Sequence, residues 1–369
     1  MIGRAAALVA VIALSTHGPV RAQAFEDGAV LAGGAEVRSL SFARLAAARR
    51  LRQISTPLGF TLPFGRISLD VGTAWVSTRL DRADGTHHTV SDLTDTQVRA
   101  AYVFGRDAVV ATLAANLPTG PDAASARDYS VIGSVSPAFL GFPAPVYASG
   151  FSMTGGLAAA MQAGPWSIGL AGSLRLSGRF TPYEDLNGPI SYKPGLEGRA
   201  RIGADRIIGS SRLSFGFTLS TFGTDEFGSG GATTGLYRPG TRITAETALL
   251  APLGTTVLSI GLWNFHRSSG DTSNVSVGNQ ENLLGGIAAL SIPAGPRLVF
   301  EPLIEGRLWS PPAGSGRWLG AGLGLTLRLG DDVTLRPAGR YDRGSVEDPS
   351  GLTSGLSGWQ ATTLLRVAF

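Results

Sequence analysis

A period of two runs through this chain to its last residue, and no other feature restricts the fold as much. Over residues 212–220, Leu213, Phe215, Phe217 and Leu219 fall on one side, and Arg212, Ser214, Gly216, Thr218 and Ser220 on the other. Leu319, Ala321, Leu323, Leu325 and Leu327 alternate in the same way with Gly320, Gly322, Gly324, Thr326 and Arg328. Trp166, Ile168, Leu170, Leu174 and Leu176 oppose Ser167, Gly169, Ser173, Arg175 and Ser177. The closing segment sets Trp359, Ala361, Thr363, Leu365, Val367 and Phe369 against Gln360, Thr362, Arg366 and Ala368. Successive side chains of a strand point to opposite faces, so each run is a strand with one apolar face. A soluble sandwich alternates too, but its water face carries Lys and Glu. Here the polar face is Gly, Ser, Thr and Arg, as expected inside a barrel whose outer face meets lipid.

The connections alternate as well. One set is short: Pro63-Phe64-Gly65, Gly105-Arg106-Asp107, Ala163-Gly164-Pro165, Gly209-Ser210-Ser211, Pro252-Leu253-Gly254, Pro293-Ala294-Gly295 and Gly330-Asp331-Asp332. Between them lie longer, mostly polar stretches near 80–94, 117–148, 179–194, 223–240, 267–281, 309–316 and 343–357. That asymmetry matches an outer-membrane barrel with tight periplasmic turns and longer extracellular loops. The pattern predicts an all-β, antiparallel, up-and-down transmembrane barrel of about 16 strands, with 36–43 supplying the first; the alternative is about 14 strands and an N-terminal plug. Phe369 ends the chain on the lipid face, the position read by the barrel assembly machinery. Trp359 shares its parity ten residues earlier. At about 3.3 Å per residue and a tilt near 40° the two stand roughly 25 Å apart, the height of the band between two aromatic girdles.

Composition narrows the remaining classes. Residues 1–24 read as a secretory signal peptide, with Arg4, an apolar stretch from Ala5 to Leu14, and Ala22-Gln23-Ala24 before the cleavage point. Residues 25–369 then form the barrel domain, located in the outer membrane of a Gram-negative cell. No later run is apolar enough for a membrane helix. The absence of Cys removes disulfide scaffolds and thiolate chemistry. A net charge of +4, with Lys193 the single lysine among 31 basic residues, gives no case for nucleic acid.

Carrying the parity inward assigns the lumen side chains. They include Arg99, Arg175, Arg199, Arg201, Arg242, Glu246, Glu301, Glu305, Arg307 and Arg328 as pore wall, with Arg66, Asp70, Glu197, Arg297, Arg336 and Arg366 beside them. Guanidiniums outnumber carboxylates, so the interior is expected to be positive and to favour anionic or polarisable solutes. Cross-strand Arg–Glu pairs that stiffen the wall are the competing reading. Gly320, Gly322 and Gly324 give a stripe without side chains, where an inserted loop packs or the bore widens. The connection 117–148 is the longest and the most apolar. Either it folds into the mouth as a constriction carrying Phe139, Phe142 and Tyr147, or it packs on the rim or against lipopolysaccharide.

No catalytic constellation and no metal set stands out. His87 and His88 sit in one acidic loop and His266 ends another strand, and solvated histidines are commoner than sites built from them. The chain has no G-x-S-x-G, H-E-x-x-H or phosphate loop.

Several short motifs carry a resemblance. Ser91-Asp92-Leu93-Thr94-Asp95-Thr96 leads into a strand ending Tyr102-Val103-Phe104, followed by Leu117-Pro118-Thr119-Gly120. Tyr192-Lys193-Pro194-Gly195 and Tyr237-Arg238-Pro239-Gly240 precede later strands. From about Arg50 onward the chain resembles the outer-membrane family named for the meta-pathway of phenol degradation, distant relatives of the long-chain fatty acid channel. The resemblance implies passive uptake of small apolar or aromatic molecules without a cofactor. The chain lacks the Asn-Pro-Ala seen near the mature N-terminus of the hydrophobic-compound channels. The expected function is a channel for hydrophobic, aromatic or carboxylate-bearing solutes; the alternatives are a plugged structural or adhesive barrel and, behind it, a barrel-embedded hydrolase. The expected partners are outer-membrane lipid, lipopolysaccharide, the assembly machinery and the solute.

Overall fold

The computed structural model describes residues 28–44, 48–105, 108–121, 123–185, 188–229, 232–272, 275–277 and 280–369. The expected signal peptide, residues 1–24, lies outside the described residues, as do Arg106 and Asp107. In chain order the strands begin β1 (Val30–Phe42), β2 (Arg50–Phe64), β3 (Ile67–Asp81), β4 (His87–Leu93), β5 (Thr96–Phe104) and β6 (Val109–Leu117). A helix α1 (Ala126–Val135) and a 3-10 turn (Ala138–Leu140) follow. Then come β7 (Ser152–Ala163), β8 (Trp166–Ser177), β9 (Phe180–Asp185), β10 (Gly188–Lys193), β11 (Glu197–Ile208), β12 (Ser211–Phe222), β13 (Asp225–Ser229) and β14 (Ala232–Tyr237). The chain closes with β15 (Arg242–Leu253), β16 (Thr256–Arg267), β17 (Gly270–Thr272), β18 (Val275–Val277), β19 (Glu281–Pro293), β20 (Leu298–Ser310), β21 (Ser315–Arg328), β22 (Val333–Glu347) and β23 (Thr353–Ala368).

Sixteen of these strands form a closed antiparallel barrel, with β4 as one extra strand. Closure is made by β1, which pairs with β2 on one edge and β23 on the other, from Val30↔Ala368 to Phe42↔Leu356. Because β1 is part of the wall from Val30, the alternative of 14 strands with an N-terminal plug is corrected to 16. The first strand also starts earlier than expected, since Val30 to Ala35 already pair with β23. The short turns lie at one end. Gly164 and Gly209 take φ of +59° and +60° there, as tight hairpins require.

The alternation becomes two chemically different surfaces. On the outer face Leu157, Met161, Leu176 and Leu319 are 62%, 61%, 66% and 64% exposed. Side chains of that size facing water in such numbers would drive aggregation, so this face belongs in hydrocarbon. Trp359 and Phe369 are exposed on it too. The register carries the inner parity from strand to strand without a break, as in Arg175↔Glu197, Gly216↔Glu246, Glu305↔Gly320 and Gly320↔Asp342.

The wall departs from regularity beside β4. On β3, Gly72 faces Gln97 of β5, but Trp75 faces Leu93 of β4. Three steps on one side match four on the other, so an extra residue is taken up as a bulge at Thr94–Asp95. Beyond it β4 has β3 on one edge and, among the described residues, no strand on the other, because β6 pairs with β5 only up to Leu117↔Thr96.

The long connections are more ordered than polar composition predicts. Within the stretches 179–194 and 223–240, β9, β10, β13 and β14 form a four-stranded sheet at the long-loop end. Asp225 holds it to the barrel rim, accepting from Tyr192 Oη at 2.5 Å and Gly195 N at 2.7 Å. Half of 309–316 and most of 343–357 are strand, since β20 runs to Ser310, β21 starts at Ser315, β22 runs to Glu347 and β23 starts at Thr353. His87 and His88, expected in a loop, lie on β4.

Candidate functional site

The segment between β6 and β7 folds into the barrel. Its base is a staple between two inward-facing polar residues. Asn116 Nδ2 donates to Asp95 Oδ2 (2.8 Å), Ser149 Oγ (3.1 Å) and Gly150 O (2.8 Å). Asp95 in turn accepts from Gly120 N (3.1 Å) and Ser149 N (2.6 Å), so both ends of the segment meet at one carboxylate. Thr119 Oγ1 adds a bond to Thr94 O at 3.1 Å. The bulge that displaces β4 thus also turns Asp95 toward the segment.

Helix α1 starts at Ser125, whose hydroxyl accepts from Asp128 N while the Asp128 carboxylate caps Ser125 N, a reciprocal box. Its buried face, Val131 and Val135, lies in one cluster with Leu80 of β3 and Val90 of β4. His88 Nε2 stands 2.6 Å from Asp128 Oδ1, and Arg82 donates to Ser130 Oγ at 2.9 Å. Burial would raise the Asp128 carboxyl, but the bonds from Ser125 and His88 outweigh it and hold the group below its ordinary value.

The next stretch crosses to the opposite wall. Phe139 stacks on Trp309 of β20 with centroids 5.5 Å apart. A Cβ at Gly316 would strike its ring, so glycine is what admits it. Trp318 Nε1 donates to Phe139 O at 2.9 Å, and Arg307 Nη1 donates to Ala138 O at 2.6 Å. Returning, the backbone of Ala144 makes a pair of 2.9 Å bonds with the Gln53 amide. The Tyr147 hydroxyl donates to Thr78, and burial pushes that phenol up to about 12 against the opposing hydrogen bonds. Phe139, Phe142 and Tyr147 are all buried with Leu40, Leu51, Val76, Phe265 and Leu283 of the wall. At about 2 kcal/mol for each large apolar side chain removed from water, these contacts hold the segment inside. The three aromatics anchor it, while Tyr129 and Val146 remain exposed on it.

Beneath this contact lies a charged network on the same wall. Glu305 bridges Arg307 (2.9 Å) and Arg340. Asp342 bridges Arg340 (2.8 Å) and Arg38 (3.0 Å). Gln360 Oε1 accepts from Arg38 and Arg340, both at 2.8 Å, and its amide donates to Glu36. Arg38, Arg307 and Arg340 all lie within 5.6 Å of the Trp318 ring centroid. The glycine stripe serves this network at Gly320, where a Cβ would strike the Asp342 carboxylate; at Gly322 a Cβ would strike the Gly339 carbonyl and crowd Arg340. The inserted segment therefore does not fill the stripe there, as composition suggested; it reaches only Gly316.

The other arc of the wall, β5 through β15, is left open to the interior. Arg99, Arg199 and Arg201 have side chains 60%, 53% and 47% exposed despite pointing inward. Their pairs are cross-strand or along one strand: Arg99 with Asp70 (2.9 Å), Arg199 with Glu197 (2.7 Å) and Arg201 with Glu246. Arg175 lies 3.1 Å from Ser152 Oγ and 4.0 Å from Glu197. Arg242 sits over the Phe222 ring at 4.6 Å. Arg212 pairs with Asp205 at 3.1 Å on the same face, so with Asp70 of β3 included six guanidiniums face four carboxylates, a net positive arc. On the remaining wall Glu301 accepts from Thr326 at 3.0 Å, and Arg328 is exposed at the short-turn end. The strand residues assigned to the lumen carry the inner parity, whereas Arg66 and Arg297 lie in short turns; Glu305 and Arg307 are enclosed under the segment and do not border the open arc.

No family model matches the chain, and no curated protein does. Among solved structures it is similar to the toluene transporter TodX of P. putida, at 11% identity and a TM-score of 0.46, over 93% of this chain and 90% of that one. It is also similar to the CymD monoaromatic hydrocarbon channel, at 9% identity and a TM-score of 0.44, over 94% and 89% of the two chains. The outer membrane channel DcaP of Acinetobacter baumannii gives 10% identity and a TM-score of 0.42, over 93% and 98%. Likeness at this level does not bear on solute.

Sequence reasoning missed the staple and most of the network. Asn116, Asp95, Gln53, Thr78, Arg38, Arg340 and Asp342 carry the inward parity, so the signal was there. What sequence could not show is which inward polar residues meet one another. The motifs at 91–96 and 117–120 do converge on the staple. His88 points inward on β4 and His266 outward on β16, so the two lie on opposite sides of the wall and form no common site. Among the described residues no group of three or more metal-ligating side chains occurs.

Proposed function

We propose that this chain is an outer-membrane channel through which small molecules cross passively, and that its solutes are hydrophobic, aromatic or carboxylate-bearing. The carrying observation is the divided interior. One side of the bore is occupied by the anchored segment, and the other keeps exposed charged side chains that only water can solvate. A barrel of this strand number is too wide for its own side chains to close. The short-turn end, with the C-terminus, is periplasmic, and the segment narrows the bore from the extracellular side. The guanidinium excess on the open arc lowers the barrier for a carboxylate. Exposed Tyr129 and Val146 on the segment offer weak contacts to an apolar body. The resemblance to the phenol meta-pathway family points to the same solute class.

Single-channel recording on refolded protein in a planar bilayer, with the reversal potential taken in a salt gradient, tests this. Stable open steps with anion preference are expected. A folded, heat-modifiable barrel without conductance would overturn the reading in favour of a plugged barrel.

A further inference from the structure

The outer face is not uniformly apolar. At the long-loop end of the arc formed by β21, β22, β23, β1, β2 and β3 it carries Arg50, Arg52, Arg79, Arg317 and Arg343, all exposed. The register places them side by side. Arg52 stands opposite Arg79 and Ser39, Ser39 opposite Trp359, and Trp359 opposite Tyr341. One step toward the rim, Arg50 stands opposite Ser41, Ser41 opposite Ser357, and Ser357 opposite Arg343. Two carboxylates share the face. Asp81 pairs with Arg79 at 2.7 Å, and Glu347 accepts from Ser315 Oγ at 2.9 Å. Arg50, Arg52, Arg317 and Arg343 have no ion-pair partner among the described residues. On the opposite side of the barrel, the same end carries Leu117, Met153, Leu174 and Leu176 instead, all exposed.

Two of these arginines, Arg50 and Arg52, line a shallow outward-facing cleft of about 370 Å³. Its floor is formed by Ser39, Ser41 and Ser357, one wall by Arg50 and Arg52, and the other by Tyr341 and Trp359. Hydroxyls below and planar guanidinium forks beside them are the chemistry that grips a phosphate through several charge-assisted bonds. Leu319 stands opposite Arg343 beside the cleft, and lipid-facing Leu323 and Leu365 follow it toward the short-turn end. A ligand held there would present anionic groups at headgroup level and an apolar body along the strands. Arginines facing a membrane at this depth are costly unless an anion answers them.

We propose that this cleft binds the phosphate groups of a phosphorylated glycolipid in the outer leaflet, with its acyl chains lying on the apolar band beneath. The inference rests on the outer-membrane reading but not on conduction. The phosphate dominates the recognition, and the aromatic pair Tyr341 and Trp359 lies between the sugar and chain regions of the ligand.

Refolded protein in detergent, titrated with bisphosphorylated lipid A and read by native mass spectrometry, tests it. Parallel titrations use the same lipid dephosphorylated and inorganic phosphate. The bisphosphorylated lipid should be retained as a discrete adduct, and Arg50→Ser with Arg52→Ser should weaken it at least about tenfold. Equal retention of the dephosphorylated lipid, or an unchanged affinity in the double variant, would overturn the proposal. Inorganic phosphate binding as tightly as the lipid would overturn it in favour of a free-anion site. Channel recordings on the same preparations separate the two readings. A barrel that conducts but does not hold the lipid sinks this inference alone, and one that holds it but never conducts sinks the channel alone.

Discussion

Arg307 reaches from β20 into the barrel and donates to the carbonyl oxygen of Ala138 at 2.6 Å, tying the wall to the inserted segment. The same guanidinium is paired with buried Glu305 at 2.9 Å. One side chain therefore couples the charged network of the wall to whatever narrows the bore.

Arg307→Ala removes both bonds and leaves Glu305 with Arg340 alone. Breaking one partner of a buried pair costs on the order of 3 kcal/mol. The temperature at which the barrel loses its folded migration on a gel should fall, and conductance should rise and become noisier as the segment loosens. Unchanged migration together with unchanged conductance would mean the segment is held without this contact.

The staple at the base gives a separable prediction. Asp95→Ala strands the backbone N–H groups of Gly120 and Ser149, at about 1–3 kcal/mol for each buried donor left unpaired, and leaves the Asn116 amide with Ser149 Oγ and Gly150 O alone. The barrel should still form, because the wall pairings do not use Asp95. Limited proteolysis should then cut between residues 118 and 151, where the wild type resists. Equal resistance in the two proteins would count against the staple.

On the open arc, replacing Arg199 and Arg201 by Ala removes two of six guanidiniums and leaves Glu197 and Glu246 less neutralised. Anion preference should fall or invert, seen as a reversal potential moving through zero, with little change in barrel stability because these groups are solvated. A reversal potential that stays put would show that ions take another route.

Docking of α1 should depend on acid. Asp128 is held below its ordinary carboxylate value, so its contribution is fully present above that value and is lost as pH falls through the lower folded one. Hydrogen exchange in 126–135 should accelerate only below about pH 4. Asp128→Ala should exchange faster at every pH, by about 1 kcal/mol of lost cap, and show no acid step from this group.

Gly320→Ala tests the glycine stripe. The new Cβ would strike Asp342, forcing the buried carboxylate off Arg38 and Arg340. Overpacking of this kind costs about 1–3 kcal/mol, so the folded barrel should become less heat-resistant. Gly339→Ala on the outer face of β22, where nothing is near, should be silent.

The strands and their facing were legible from residue order because a strand has only two faces. Once Leu319 or Trp359 is assigned outward, every neighbour in register follows, and the parity of Arg99, Arg201 and Glu246 came out of that rule. Tight turns such as that at Gly164 were legible for a similar reason, since their chemistry is local. The connections were read less well. Polar composition does not distinguish a loop from a hairpin continuing beyond the membrane, and β9, β10, β13 and β14 were hidden by that degeneracy.

The sequence by itself determined a closed barrel with an apolar exterior and an arginine-rich interior, because alternation and turn chemistry act between neighbours in the chain. Only the tertiary structure decided where that interior is open. Arg307 and Arg201 share a parity and a chemistry, yet one is enclosed under the inserted segment and the other faces the unfilled arc. The difference lies in contacts that span the barrel: Phe139 against Trp309, Ala144 against Gln53 and Gly120 against Asp95. Such meetings depend on how a long connection closes on a distant wall, and no local periodicity records that.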